Sequence, residues 1–151
     1  TTIITGATYA AAGTNAVMAG ADVTAIALSG AAGVDYLSAT INLTNNLRVQ
    51  RKLGTTAARG VGYGRRQISG EIKAYFEDVT AYNAFVNNTT PALTCTISDG
   101  TNSYAINIPK IRITSGEVPN EGNDNDFILT LGYTALYDSG ISSDMQITRA
   151  P

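Results

Sequence analysis

Two strand patterns joined by a long basic loop constrain the fold of this chain more than any other feature. Residues 36–43 alternate apolar and polar side chains, and residues 68–76 do so again, which is the period of a half-buried strand. The connecting residues 45–66 are rich in glycine, and no acidic residue occurs between Asp35 and Glu71. This loop holds six of the 10 basic residues of the chain, namely Arg48, Arg51, Lys52, Arg59, Arg65 and Arg66. Because like charges repel, we expect the loop to contact an acidic partner.

The opposite charge is concentrated nearer the C-terminus. Residues 117–144 carry acidic side chains and no basic one. The acidic partners that we predict for the basic loop are Glu117, Glu121, Asp124 and Asp126. Two opposed charge blocks on one chain favour head-to-tail association of identical copies. The alternative is two solvated surface loops, because an exposed ion pair contributes only about 0 to 1 kcal/mol.

Length and composition indicate one domain with an arm. A chain of 151 residues can bury a single core. Residues 1–33 are rich in Ala, Gly and Thr, which predicts an arm with two weak strands at 2–5 and 23–28, and residues 34–151 form the β domain. No secretory signal and no membrane span is expected, because no apolar stretch approaches about 20 residues. The formal net charge of −2 gives the whole molecule no electrostatic footprint for nucleic acid.

The remaining patterns predict strands around one helix. Asp78 is suited to cap a helix that runs to about residue 87, with Val79, Tyr82, Phe85 and Val86 at helical spacing. Asp99-Gly100 predicts a hairpin between residues 93–97 and 104–108, and Pro109 predicts a break before Ile111 and Ile113 at a sheet edge or bulge. Phe127, Leu129, Leu131 and Tyr133 predict a last long strand, and residues 141–151 can add a short one. The fold class is mainly β: an antiparallel sandwich or barrel with one short α-helix and a long inter-subunit loop.

Catalytic chemistry has little support in this sequence. The chain has no histidine, which removes the commonest general base and metal ligand. Residues 123–126 resemble part of a calcium loop but lack its glycine and distal glutamate. The lone Cys95 lies on the apolar face of a strand pattern, where a buried small side chain is expected. We therefore predict no catalytic residue, no metal site and no cofactor. Nucleic-acid contact by the basic loop, with Tyr63 stacking on a base, is the alternative role for that loop.

Several segments, taken in order, resemble the tail tube proteins of long-tailed, siphovirus-type bacteriophages. They span roughly residues 34–151 and comprise residues 45–48, the glycine and arginine loop to Gly64, and residues 69–78, 98–101, 109–114, 135–138 and 145–149. Relatives in this group commonly carry another sheet-forming half before this region. The chain is therefore expected to be a short member of the group or the C-terminal part of a longer protein.

The resemblance implies a structural virion protein that forms stacked, hexameric rings around a hollow tube for phage DNA. It implies that the basic loop reaches a neighbouring copy, and that Ser38, Thr40, Asn42 and Glu71 are candidates for the channel lining, with Glu71 strengthening the repulsion of phosphate. It also implies assembly in the host cytoplasm, with tape measure, tail tip and terminator proteins as further partners. The inner tube of a contractile injection or secretion system and a soluble ligand-binding β-sandwich are the alternatives.

Overall fold

The described part of the chain folds into two four-stranded antiparallel sheets, a two-stranded hairpin and one short helix. The computed structural model describes residues 18–31, 33–76, 79–118 and 125–150. Within these ranges the strands are β1 Val23–Leu28, β2 Tyr36–Thr44, β3 Arg48–Arg51, β4 Ala58–Gly62, β5 Gln67–Tyr75, β6 Leu93–Ser98, β7 Ser103–Ile108, β8 Ile111–Glu117, β9 Ile128–Ala135 and β10 Gln146–Ala150. The α-helix α1 spans Thr80–Val86, and a 3-10 turn spans Gly20–Asp22.

The strands are arranged as an open sandwich. Sheet I has the order β2-β5-β9-β8, and sheet II has the order β1-β6-β7-β10. Among the residues that the structure describes, strands β3 and β4 pair only with each other, as a separate hairpin. Neighbouring strands in the three sheets are antiparallel. The predicted fold class is confirmed as a mainly β antiparallel sandwich with one short helix, and its sheets are not closed into a barrel.

One apolar core lies between the two sheets. Every second residue of β5 and β9 points into it, because side chains alternate between the two faces of a strand. Its buried members include Leu28, Leu93 and Ile108 from sheet II and Ile68, Ile72, Ile111, Leu129, Leu131 and Tyr133 from sheet I. Complete burial of one such aliphatic side chain stabilises the fold by about 1.5 to 3 kcal/mol. The helix extends this core, since Ala81 is buried and Tyr82 and Phe85 pack against the cluster.

A tyrosine reaches across sheet I above a glycine. Tyr133 of β9 and Gly70 of β5 are paired in register, and the Tyr133 hydroxyl donates a 2.9 Å hydrogen bond to the backbone oxygen of Thr40 in β2. A Cβ at Gly70 would overlap that oxygen and approach the tyrosine hydroxyl to 2.7 Å. Glycine is therefore needed at position 70 for β9 to tie the edge strand β2 into the sheet.

The hairpin predicted between residues 93–97 and 104–108 is confirmed. Strands β6 and β7 pair from Leu93 with Ile108 to Ser98 with Ser103. Asp99 orders the turn, because its Oδ1 accepts hydrogen bonds from the amides of Thr101 at 2.8 Å and Asn102 at 2.6 Å. Gly100 has φ +89, which glycine adopts without strain. These backbone hydrogen bonds lower the pKa of Asp99. Cys95 itself is half-buried rather than fully buried, and burial raises the pKa of its thiol.

Several apolar side chains of the strand and helix patterns, which would be expected to point inward, face solvent instead. Leu37 is 47% exposed because the pairing of β2 with β5 shifts between Tyr36 and Ser38, and the bulge turns Tyr36 toward the core in its place. Leu43, at the end of β2, is 45% exposed. Phe127 is 50% exposed because β9 begins one residue later. Val79 and Val86 of the helix pattern are exposed as well.

Other predictions about the elements have mixed outcomes. Strands at 23–28, after Pro109 and near the C-terminus are confirmed as β1, β8 and β10, with β8 at a sheet edge. The helix begins at Thr80 after Val79, which gives no side-chain cap. The predicted cap Asp78 and the predicted strand at 2–5 lie outside the described residues.

Candidate assembly surfaces

The basic loop forms an ordered β-hairpin. Strands β3 and β4 pair from Arg48 with Gly62 to Arg51 with Ala58. The hairpin packs on itself and makes few contacts with the sandwich. We call residues 45–66 the basic hairpin. Its strands extend the chain by about 20 Å between residues 47 and 53, at roughly 3.3 Å per residue, which is enough to reach a neighbouring molecule.

The base of the basic hairpin is clamped. Asn46 adopts a left-handed conformation with φ 47, which asparagine tolerates better than most residues. Its side-chain amide donates a 2.9 Å hydrogen bond to the backbone oxygen of Arg65. Gly64 lies directly against Asn46, where a Cβ would overlap the Asn46 carbonyl. This close contact fixes the direction in which the hairpin leaves the sheet.

The basic hairpin also carries an exposed apolar stripe. Val49 and Val61 are paired directly across the two strands, so their side chains share one face, and they are 65% and 52% exposed. Leu53 at the tip is fully exposed, and Leu47 and Tyr63 are exposed near the base. A contiguous exposed apolar surface on a projecting element is typical of an interaction site.

Two of the predicted acidic partners, Glu117 and Asp126, lie at the opposite end of sheet I. The basic hairpin leaves from Thr44 and re-enters at Gln67, whereas α1 follows Tyr75 at the other end of β5. We call these the hairpin end and the helix end. Glu117 pairs with Thr130 near the start of β9, and Asp126 precedes that strand, so both belong to the helix end. The nine residues of β5 separate the two ends by about 30 Å. Because the hairpin strands extend only about 20 Å, the hairpin of one copy cannot reach the helix end of the same copy.

Two ion pairs involve residues of the charged segments. Arg66 pairs with Asp144 of the same chain and donates a further 3.0 Å hydrogen bond to the Ser143 hydroxyl. Lys110 Nζ lies 2.8 Å from Asp138 Oδ1, which lowers the pKa of Asp138. Among the described residues, Arg48, Arg51, Lys52, Arg59 and Arg65 form no ion pair. Of the predicted acidic partners, Glu121 and Asp124 lie outside the described residues.

The outer face of sheet I is polar. Thr40 pairs with Glu71, and Asn42 pairs with Ser69, which pairs in turn with Thr134. Directly opposite residues share a face, so the predicted lining residues Ser38, Thr40, Asn42 and Glu71 lie together there. Four charged side chains also lie on this face: Glu71, Lys73, Arg112 and Glu117. Lys73 Nζ lies 3.4 Å from Glu71 Oε1. The positive charge of Lys73 therefore offsets the negative charge of Glu71, which we expected to strengthen the repulsion of phosphate.

Within the described ranges, no cluster of three or more metal-ligating side chains occurs. The one α-helix in those ranges is too short to cross a membrane. The outer face of sheet I forms an open depression of about 480 Å³, lined by residues that include Thr40, Asn42 and Glu71.

Comparison with known families assigns the chain to a family. The family model described as phage tail tube protein matches residues 1–135. This match covers most of the chain. The chain belongs to the phage tail tube protein family. It is accordingly a structural component of the virion tail and not an enzyme. The family match runs from residue 1 to residue 135, so it includes residues 1–33, which precede the segments that carry the resemblance in the sequence.

Solved structures share the tail tube fold at low sequence identity. A chain from the virion of a native gene transfer agent particle is 17% identical, with a TM-score of 0.63, and the alignment covers 87% of this chain and 99% of that one. A chain of the anti-feeding prophage cap, which terminates the tube, is 15% identical with a TM-score of 0.63, and the alignment covers 99% of this chain and 100% of that one. No curated protein sequence matches the chain significantly.

Sequence reasoning missed two features of this tail tube protein. It described residues 45–66 as a loop without strands, although Val49 and Val61 have the β-branched side chains typical of strands and Gly54 lies between them in the sequence. It also assigned Arg66 to a neighbouring copy, and the structure pairs Arg66 with Asp144 in its own chain. That long-range ion pair has no local sequence signal.

Proposed function

We propose that this tail tube protein assembles into closed, hexameric rings that stack into the hollow tube through which phage DNA passes. The observation that carries the proposal is the strand count of sheet I. A four-stranded antiparallel sheet has edge strands of opposite direction, here β2 and β8. Rotation about an axis along the strands therefore places β8 of one copy antiparallel to β2 of the next. Repeating this step closes a continuous barrel and leaves sheet I without free edges.

Stacking of rings follows from the two ends of sheet I. The hairpin end of one copy is basic, and the helix end carries Glu117 and Asp126. Translation along the strand direction brings these opposite charges together between successive rings. Arg48, Arg51, Lys52, Arg59 and Arg65 are the basic residues that we assign to this contact, with Glu121 and Asp124 as further acidic partners. Arg66 instead stabilises the base of the hairpin through Asp144.

The outer face of sheet I is the surface that we assign to the channel. The core covers the other face, so closure of the barrel on β2 and β8 leaves the row of Ser38, Thr40 and Asn42 facing inward. Glu71 and Glu117 are balanced by Lys73 and Arg112 on this face. A polar surface without net charge lacks the positive potential that would hold a phosphate backbone in place.

The inner tube of a contractile injection system is the second candidate. The fold likeness to the tube-terminating cap of the anti-feeding prophage favours it. Such a tube would bind a sheath protein, whereas a non-contractile tail would lack one. In either case we place assembly in the host cytoplasm, and we include tape measure, tail tip and terminator proteins among the partners.

Negative-stain electron microscopy across a concentration series, with size-exclusion chromatography, tests the proposal. We expect rings or hollow tubes of uniform width. The triple substitution Arg48→Glu, Arg51→Glu and Arg59→Glu should keep rings and prevent stacking. Arg48→Glu alone should weaken stacking, and Arg149→Glu, in the exposed strand β10 of sheet II, is its control for a single charge reversal outside the hairpin. A strict monomer at the highest concentration would contradict the proposed function.

A further inference from the structure

An open groove with a mixed lining lies between the edges of the two sheets, beside β1 and β2. It has a volume of about 660 Å³ and is lined by apolar side chains such as Ile26, Leu37 and Ile97 and by polar ones such as Thr24 and Ser38. Among the described residues, β1 and β2 are edge strands of their sheets; in the proposed ring β2 pairs with β8 of a neighbouring copy, which leaves the edge of β1 open at this groove. Leu37, which the bulge in β2 turns outward, is 47% exposed at this groove.

The rim of the groove is acidic. Among residues 18–44 the charged side chains are Asp22 and Asp35, and the segment contains no lysine or arginine. Asp35 borders the groove, and its backbone oxygen accepts a hydrogen bond from Tyr75 at the helix end of sheet I. Asp22 lies in the 3-10 turn that includes Gly20, another lining residue. The groove therefore offers both apolar and polar side chains, has Asp35 among its lining residues and Asp22 nearby, and lies beside the helix end.

The basic hairpin has the complementary composition. It presents the apolar pair Val49 and Val61 and the exposed tip Leu53, flanked by basic residues and without any acidic one. It also leaves from the hairpin end of sheet I, which would face the helix end of the next copy in a stack. Apolar contact and opposite charge then act at the same place.

We propose that the groove between β1 and β2 receives the basic hairpin of a second copy, with Asp22 and Asp35 meeting its basic side chains. This inference rests on the proposed function and specifies the surface that the hairpin of one ring contacts on the next ring. Glu117 lies at the same end of sheet I but on β8, the opposite edge strand, about 14 Å from β2 at about 4.8 Å per strand, so it is separate from the groove. The assignment explains why the hairpin carries exposed apolar residues that its own sandwich leaves uncovered.

Cys95 provides a direct test, because it is the single cysteine of the chain and lines the groove. Val61→Cys and, separately, Leu53→Cys would place a second thiol on the hairpin. A short bis-maleimide added to assembled tubes should then link successive copies into a covalent ladder on denaturing gels. Adding Cys95→Ser should abolish the ladder. Lys73→Cys is the matched control, because its side chain is 47% exposed on the outer face of sheet I.

The unmodified chain gives a second readout. Cys95 should react with a thiol reagent at least about tenfold more slowly in tubes than in dissociated chains, because the docked hairpin covers it. If microscopy shows tubes but neither hairpin cysteine links more than the Lys73→Cys control, and Cys95 reacts at an unchanged rate, the groove assignment is wrong while the tube remains. If no tubes form with the wild-type chain, the proposed function fails first.

Discussion

At the scale of single residues, the contact of Tyr133 with Thr40 above Gly70 holds the edge strand β2 in sheet I. The hydroxyl to oxygen distance is 2.9 Å, and the missing side chain at position 70 leaves the space for it. If β2 is the strand that pairs with the next copy, its position must be fixed before assembly. A single residue pair therefore connects the stability of the sandwich to the proposed ring contact.

We expect Gly70→Ala to destabilise the fold strongly. The new Cβ would overlap the Thr40 backbone oxygen and approach the Tyr133 hydroxyl, so β2 or β9 must shift. Overpacking of this kind costs about 1 to 3 kcal/mol or more. Urea unfolding measures the loss. Gly60→Ala is the control, because a Cβ there meets no atom within 4 Å; equal stability of the two variants would contradict this explanation.

Tyr133 also predicts a pH dependence. Burial, and then the nearby Cys95 charge, raise the Tyr133 pKa to about 12 from 10.0. A group whose pKa is raised in the folded state stabilises the fold fully below pH 10, and this contribution is lost as the pH rises to about 12. Tyr133→Phe should cost about 1 kcal/mol at neutral pH through loss of the hydrogen bond. The stability difference between wild type and variant should then shrink from pH 10 to about 12.

The pH series needs a control for the other buried tyrosine. Burial also raises the pKa of Tyr36, but that group is present in both chains and cancels in the difference. Tyr63→Phe changes a hydroxyl on an 85% exposed ring and should leave unfolding unchanged at every pH. A wild-type to Tyr133→Phe difference that stays constant across this range would show that the hydroxyl does not titrate as described.

At the scale of elements, the clamp at Asn46 determines whether residues 45–66 act as a directed arm. Asn46→Ala removes the hydrogen bond to Arg65 and places alanine at a positive φ, which is unfavourable for it. We expect trypsin to cut the hairpin faster, since its basic residues become accessible in a loosened stem. Global unfolding should change little, because the hairpin makes few contacts with the sandwich.

Two comparisons make the Asn46 experiment specific. Asn102→Ala alters a turn residue in the β6–β7 hairpin and should leave cleavage within residues 45–66 unchanged. Asn46→Gly restores a residue that tolerates positive φ and should recover part of the protection. Unchanged cleavage in Asn46→Ala would mean that pairing of β3 with β4, and not the clamp, holds the arm.

The sequence predicts these elements to different degrees, and the reasons are physical. Strand β5 and the turn at Asp99-Gly100 follow from local alternation and turn chemistry, so both were predicted. The exposure of Leu37 depends on a bulge in the pairing of two distant segments, which a period-two pattern cannot reveal. The grouping of Ser38, Thr40, Asn42 and Glu71 on one face was predictable from alternation, whereas the neutralising position of Lys73 depends on side-chain geometry.

At the scale of the whole molecule, the two ends of sheet I separate folding from assembly. The core lies between the sheets, and the basic hairpin lies outside it. Thr44 and Gln67 are paired at the point where the hairpin leaves. The strands β2 and β5 can therefore be joined by a tight turn without disturbing their register. Folding should tolerate removal of the hairpin, and stacking should not.

Replacing residues 45–66 with Asn-Gly makes this separation measurable. Asn-Gly favours the two-residue turn that joins antiparallel strands, so β2 and β5 become a simple hairpin. We expect a folded chain, with a denaturant midpoint close to that of the wild type, that forms no tubes at any concentration. Circular dichroism reports the fold, and sedimentation velocity with electron microscopy reports assembly. A variant that still stacks into tubes would show that the hairpin is dispensable, and would place the contact between rings on the remaining surfaces of the helix end.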